Sequence, residues 1–362
     1  MVVDIFSNCS IDNIHCSIIF GSTRNIHEKT KRPVIMRTLL EAKNINALYV
    51  TGGSNIYAVN DVSLEIKEKE MVGIVGESGC GKTTLVKTIY GFIEPPLKVT
   101  QGKVILHMDE ENSVDMLSSL NREEIEREVW WKHISWIPQG AQNALNPTLR
   151  IRDIFAETLK KTLINLDKNE TLKFIEDHIL KFGLSKDILA AYPHQLSGGM
   201  KQRVTIALAM AFKPKIILAD EPTSALDVIN QRVILGMLKE INSSYGTSVV
   251  LVSHDIDIIG VICDRTAVMY AGNLIETGRT EDLLKEPLHP YTKALIESLP
   301  RLGDKSRKEG LKGQPPDLRK PPLGCKFHVR CPYAKDVCKE KNPPFMEVKP
   351  NHFLSCWLYM SE

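Results

Sequence analysis

Apolar residues become periodic only from Leu39 onward, where Leu40, Ala42, Ile45 and Leu48 mark ordered structure, while residues 21–33 are polar and patternless. Met71-Val-Gly-Ile-Val75 is a short apolar run bounded by turn residues, which predicts a buried strand of a parallel sheet. Ile216-Ile-Leu-Ala219 and Ser248-Val-Val-Leu-Val252 repeat that pattern, and Ser135-Trp-Ile-Pro-Gln139 reads as a fourth short strand or an edge. Val204 to Phe212 reads as a helix, as does the stretch after Gln139, from Asn143 to Thr158 and on to about Tyr192. Buried strands alternating with helices predict an α/β fold. The longest apolar candidate, Val204–Phe212 with Ile216–Ala219, is broken by Lys213, Pro214 and Lys215. It falls short of the roughly 18 uninterrupted apolar residues that a spanning helix needs.

The first predicted strand runs into Gly76-Glu-Ser-Gly-Cys-Gly-Lys-Thr-Thr84, a complete G-x-x-x-x-G-K-[ST] motif. Its glycines let backbone N–H groups converge on phosphate oxygens at a helix N-terminus. Lys82 is placed to reach the β and γ phosphates and the Thr83 hydroxyl to ligate Mg²⁺. Phosphate chemistry also needs a carboxylate at a neighbouring strand end. Asp220 supplies one for Mg²⁺, and Glu221 follows on the other side of the pleat as a general base. The bland alternative is two solvated carboxylates capping a strand. The third strand ends in Ser253-His254-Asp255, which would bring His254 beside the γ-phosphate, and Gln139 closes the fourth, its amide within reach of Mg²⁺ or the attacking water. Leu196-Ser-Gly-Gly-Met200 precedes the Val204 helix. Ser197, Gly198 and Gly199 there form either an ordinary helix cap or a second anion cradle. A chain with one phosphate loop needs a second cradle only if a partner's nucleotide completes it.

Composition refines this picture. The 362 residues amount to two or three units of roughly 150 residues. With 46 Lys+Arg against 44 Asp+Glu, the chain is too balanced to coat nucleic acid. The tail differs: residues 301–362 hold 13 Lys/Arg against 7 Asp/Glu and 8 of the 19 prolines, which suggests a separate module. Four of the eight cysteines, Cys325, Cys331, Cys338 and Cys356, lie in that tail with spacing C-x5-C-x6-C-x17-C. Four thiolates on Pro/Gly-rich loops suit a soft metal, and unmetallated thiols are the alternative. Such a site would supply folding free energy to a segment poor in apolar content. Met1 to Phe20 lacks a basic start and carries Asp4 and Asp12, so a cytoplasmic protein is expected rather than a secreted disulfide framework. Residues 1–36 read as an N-terminal extension without a fold of its own.

Taken in order, the phosphate loop (76–84), Gln139, Leu196–Met200, Ile216–Glu221, Ser224-Ala-Leu-Asp227 and His254 resemble an ABC-transporter ATP-binding subunit over about residues 39–290. The resemblance implies a P-loop ABC-type ATPase at 37–287: a RecA-like core, an antiparallel β subdomain and an α-helical subdomain at about 140–200. It implies ATP contacts from Gly76, Glu77, Ser78, Gly79, Cys80, Gly81, Lys82, Thr83 and Thr84. Tyr49, with Tyr57 as the alternative, would stack on adenine. Gln139, Glu221 and His254 would be catalytic, with Mg²⁺ held by Thr83, Gln139 and Asp220. Ser197, Gly198 and Gly199 would contact the partner subunit's ATP, and Asp227 would lie at the dimer interface. Cys80 stands where serine is common, which could make the loop thiol-sensitive.

Leu288-His-Pro-Tyr-Thr-Lys-Ala-Leu295 resembles the C-terminal extension of oligopeptide and dipeptide importers, here 288–362. Similar family members carry a [4Fe–4S] cluster on this cysteine pattern, with Zn²⁺ the alternative. Expected partners are a second ATP-binding subunit (a copy or a paralogue), two membrane permease subunits and, indirectly, an extracellular solute-binding protein. The chain would then work peripherally at the cytoplasmic face of the cell membrane. An oligosaccharide or nickel importer would use the same machinery. A soluble ABC ATPase acting on DNA or ribosomes would show features missing here, such as a second cassette or a coiled-coil insert.

Overall fold

A long hairpin, β1 (Thr38–Thr51) and β2 (Ser54–Lys67), opens the described chain. The computed structural model describes residues 36–117, 122–162, 167–298, 311 and 313–360. The expected extension 1–36 therefore lies outside the described residues apart from Met36. The apolar positions Leu40, Ala42 and Ile45 of β1 are buried, and a register shift after Ala42 spans Asn44 at φ 50. The bulge moves the inward set on to Ala47, so Leu48 is only half-buried.

After β2 come β3 (Met71–Val75), α1 (Lys82–Tyr90), β4 (Leu97–His107), β5 (Ser113–Asp115), α2 (Arg122–Glu128) and β6 (Ile134–Ile137). Three helices follow: α3 (Ile151–Thr162), α4 (Lys168–Leu180) and α5 (Gly198–Ala209). The chain returns through β7 (Ile216–Asp220), α6 (Val228–Tyr245), β8 (Ser248–Ser253), α7 (Ile256–Ile262), β9 (Arg265–Tyr270), β10 (Asn273–Arg279), α8 (Thr280–Lys285) and α9 (Pro290–Glu297). The tail adds α10 (Val337–Glu340), β11 (Met346–Lys349) and β12 (His352–Leu354).

Among the described residues the strands form two sheets. One is antiparallel, in the order β2-β1-β4-β5; the other runs β11-β12-β10-β9-β3-β8-β7-β6. Its centre, β9-β3-β8-β7-β6, is parallel. β3, β7 and β8 are buried at every position because both faces of this sheet are covered. Ile217, Ala219, Val249 and Leu251 face a core shared with Phe155, Ile175 and Ile179 of the helical region. Their neighbours Ile216, Leu218, Val250 and Val252 face the other way, onto α1 and the antiparallel sheet through Leu85, Ile89, Ile45 and Val62.

The helices have explicit caps. Asp167 and Glu170 form a reciprocal capping box on α4, and Gly246 ends α6 in the left-handed conformation. The tail, expected as a separate module, adds β12 and β11 to the edge of the main sheet through β10. It also contributes Phe327, 2% exposed, to the main core.

Candidate nucleotide-binding site

The phosphate loop joins β3 to α1 and is wedged between two backbones. A Cβ on Gly76 would lie 2.2 Å from the Met269 carbonyl oxygen, and one on Gly81 2.0 Å from that of Ala58. Gly81 also sits at φ 105, where a side chain is strained. Lys82 is 5% exposed. Its ammonium donates to the Gly76 and Glu77 carbonyls at 2.7 and 3.0 Å, bridging the mouth of the loop. Cys80 is buried, and desolvation pushes its thiol up despite nearby Lys82. The loop thiol is thus shielded and protonated, and the expected thiol sensitivity does not fit this environment.

Asp220 ends β7 with no exposure, and neither carboxylate oxygen has a hydrogen-bond partner among the described residues. Burial pushes its pKa up to about 6, Thr83 opposes the shift from alongside, and Glu221 adds to it. A buried, unpaired carboxylate facing the Thr83 hydroxyl calls for a cation, and an oxygen donor set of this kind suits Mg²⁺. Gln139, also expected at the metal, donates its amide Nε2 to Glu221 Oε2 at 3.1 Å.

His254 Nδ1 lies 3.2 Å from Glu221 Oε1, so Gln139 and His254 meet on the two oxygens of one carboxylate. Glu221 itself has φ 47, an uncommon conformation for a glutamate, and its side chain is only 16% exposed. Three residues expected to be catalytic are therefore gathered from the ends of three parallel strands, at the carboxyl edge where such sheets bind ligands.

Tyr49 is half-buried on β1, and its hydroxyl shares a 3.2 Å hydrogen bond with Thr84 Oγ1 of α1. Tyr57, the alternative, instead gives its backbone N–H to Leu318 of the tail at 3.0 Å. Ser197 is the N-cap of α5 and accepts from Met200 N–H, while Gly199 lies where a Cβ would be 2.4 Å from Asn230 Oδ1. Asp227 caps α6, accepting from the Ile229 and Asn230 amides. Val228 and Ile229 beside it are 64% and 77% exposed.

The metal centre expected at the tail is not closed in this structure: among the described residues no three His, Cys, Asp or Glu side chains are grouped to hold one ion. Cys325, Cys331, Cys338 and Cys356 are unpaired thiols. Cys356 lies within electrostatic reach of the other three, and burial pushes Cys325 and Cys356 up to about 11. Each is held locally. Cys338 Sγ, for example, accepts from Lys335 N–H at 3.4 Å. Two histidines near the cysteines have other partners, His328 the Cys325 carbonyl and His352 the buried Glu276 carboxylate.

Sequence reasoning missed a set of tail residues around the loop. Glu77 N–H donates to the Tyr291 hydroxyl at 3.0 Å, and the Glu77 carboxylate takes two hydrogen bonds from Arg330, at 2.8 and 3.1 Å. Glu276, fully buried, accepts from the Leu288 and His289 amides and from His352. His289 in turn accepts from Tyr291 N–H, starting α9. The only sequence signal was the His289-Pro-Tyr291 segment itself.

The phosphate loop, the buried magnesium-type aspartate and the Gln–Glu–His convergence on a parallel sheet define a P-loop nucleotide-binding protein. Residues 59–224 match the ABC transporter family model, and residues 275–338 match that of the oligopeptide/dipeptide transporter C-terminal region. The chain is 36% identical to the dipeptide transport ATP-binding protein DppD of Caldanaerobacter subterraneus over 326 residues, covering 90% of this chain and 98% of that protein. It is 38% identical to DppD of Bacillus subtilis, covering 89% and 95%. A dimeric post-hydrolysis structure of the ATP-binding cassette MJ0796, bound to ADP and Pi, superposes with TM-score 0.59 at 31% identity, covering 67% of this chain and 99% of that one. The chain belongs to the ATP-binding subunits of ABC transporters, in their oligopeptide/dipeptide branch. It is an ATP hydrolase of the kind coupled to transport. No described helix is long and apolar enough to cross a membrane.

Proposed function

We propose that this chain energises uptake of dipeptides or oligopeptides by binding and hydrolysing MgATP between two cassettes. The observation that carries the reading is the pairing of Gln139 and His254 on Glu221, next to an orphaned Asp220 and the Lys82 loop. Loop amides and Lys82 bind the phosphates, and Tyr49 packs on adenine once its bond to Thr84 opens. Asp220 and Thr83 hold Mg²⁺, which when bound neutralises phosphate charge. Glu221 takes the proton from the attacking water, while His254 and Gln139 orient its two oxygens. Ser197, Gly198 and Gly199 bind the partner subunit's nucleotide with the free N–H groups of α5, and Asp227 meets that partner across the exposed Val228–Ile229 surface.

ATP thus joins two subunits, a copy or a paralogue, and hydrolysis releases them. The helical subdomain at about 140–200 moves after Gln139 and engages two permease subunits at the cytoplasmic face of the membrane, which in turn serve a solute-binding protein. The extension from 288 onward follows the importer pattern. Its four thiols are a donor set suited to a soft group, a [4Fe–4S] cluster ahead of Zn²⁺, and this reading stands on donor chemistry and resemblance. Brown colour of the purified chain supports it; colourless protein with neither iron nor stoichiometric zinc removes it.

The functional test is Glu221→Gln in the assembled transporter. Hydrolysis should fall at least about 10²-fold while ATP stays bound in a closed dimer. Unimpaired turnover refutes the base assignment.

A further inference from the structure

The phosphate loop carries an acidic side chain where it must receive a polyanion. Glu77 follows Gly76, and its carbonyl is one of the two that hold the Lys82 ammonium. Left unpaired, its carboxylate would repel the phosphates that Lys82 attracts. The partner comes from the far end of the chain. Arg330, with a side chain 4% exposed, forms a two-pronged pair with Glu77, gives a further hydrogen bond to the Tyr270 hydroxyl at 3.3 Å and lies 5.7 Å over the Tyr270 ring. The pair is held from several sides. Gly313 lies against the Arg330 side chain, where a Cβ would sit 3.4 Å from Cγ, and Pro315, Pro316 and Leu318 line a small cleft with Glu77–Cys80. The Glu77 amide is also fixed by Tyr291, whose ring packs 4.7 Å from Tyr270 and 5.5 Å from Phe327.

We propose that the C-terminal tail completes the nucleotide loop: Arg330 cancels the Glu77 charge and sets the loop's shape, so that a nucleoside triphosphate binds only to a chain whose tail is docked. Arg330 is a positioning residue, acting on the phosphates through Glu77. The inference rests on the nucleotide-site reading above and gives the extension a role at that site, independent of any metal. A purely structural pair would tie the tail down and leave ATP affinity to follow stability. Charge cancellation makes a different demand: removing the arginine harms binding, and removing the glutamate as well relieves the harm.

The test measures displacement of a fluorescent ATP analogue and steady-state ATPase kinetics on the full-length chain, with apo melting curves beside them. Arg330→Gln should weaken ATP binding by about tenfold, the scale of one charge-assisted contact, and raise KM far more than it lowers kcat. The double variant Glu77→Gln/Arg330→Gln should recover at least half of the lost affinity, although its melting temperature is no higher than that of the single variant. Arg330→Lys keeps the charge and should bind within about threefold of wild type, which preserves the test if the glutamine variant misfolds. A single variant that binds like wild type, or a double no better than the single, overturns the proposal. So does a lysine variant as weak as Arg330→Gln. Failure of the wild-type chain to bind ATP would instead remove the site reading beneath it.

Discussion

Asp220→Asn separates the demands of folding from those of catalysis. The Asp220 pKa rises from 3.8 to about 6, mainly through burial. At ~1.4 kcal/mol per pH unit this means the ionised carboxylate destabilises the apo fold by about 3 kcal/mol. Asparagine removes the charge but leaves a polar amide with few partners, which takes back about 1–2 kcal/mol. The variant should therefore be more stable by about 1–2 kcal/mol at pH 7.5, a shift of several degrees in melting temperature. The sign of the pH dependence follows from a folded pKa above the unfolded one. The penalty is fully present above pH 6 and disappears as the pH falls through 6 toward 3.8, because the folded protein takes up the proton first. The advantage of Asp220→Asn should thus reverse by about pH 4, to a deficit of about 1–2 kcal/mol from the amide alone. The assay is thermal or urea unfolding in EDTA without nucleotide at several pH values, together with Mg²⁺-dependent ATPase, which should drop at least about 10²-fold. A variant less stable than wild type at pH 7.5, or equally favoured at pH 4 and 7.5, would refute the idea that Asp220 is a strained, cation-ready carboxylate.

Other outcomes follow from the same geometry. Lys82→Ala should lose nucleotide binding, read by fluorescent-analogue titration, because the ammonium that bridges Gly76 and Glu77 is the group that meets phosphate; normal affinity would discard the assignment. Gly81→Ala should destabilise the chain by more than about 2 kcal/mol in urea unfolding, since its Cβ would lie 2.0 Å from backbone oxygen and φ is 105. His289 is pushed down to about 4 from 6.5 by burial, with Glu276 opposing. The stability it lends is complete above pH 6.5 and is lost as the pH falls toward 4. Hydrogen exchange of the α9 amides should accelerate between pH 7 and 5, after correction for intrinsic rates, and unchanged protection would exclude this latch.

Legibility of the chain tracks how local each cause is. β3, β7 and β8 could be read because both faces of the sheet are covered, leaving unbroken apolar runs. In β1 the marked positions Leu40, Ala42 and Ile45 are buried but Leu48 is not, since the Asn44 bulge that resets the alternation has no apolar signature. Gln139, Glu221 and His254 were legible as strand-end residues, and the structure adds that they meet on one carboxylate. The Gln139 bond to Glu221 uses the amide Nε2, whereas a metal would be met by Oε1, so this contact leaves the expected role at the cation open to the amide oxygen. Arg330 was invisible. In a tail with surplus positive charge, one arginine looks like solvated surface, and only tertiary packing over hundreds of residues reveals it as nearly buried against Glu77.

The two halves of the site differ in mechanical character, and this bears on how the cycle runs. The loop side is rigid. Gly76 and Gly81 are pressed against the Met269 and Ala58 carbonyls, so the loop cannot shift without displacing β9 or β2. Tyr291 and Arg330 brace it from the tail. The opposite rim is tied less tightly: the His254 side chain is 63% exposed, and Gln139 precedes a left-handed Gly140 that leads to the helical region. Hydrogen bonds on that rim join side chains that can exchange partners when a nucleotide and a second subunit arrive. On the proposed function, a stiff cradle facing a more loosely tied rim would let the chemistry of the γ-phosphate be felt mainly through Gln139, and hence by the helical region, with little effect on the grip of the loop. On this basis the tail belongs to the cradle, setting whether nucleotide binds and leaving the stroke to the rim.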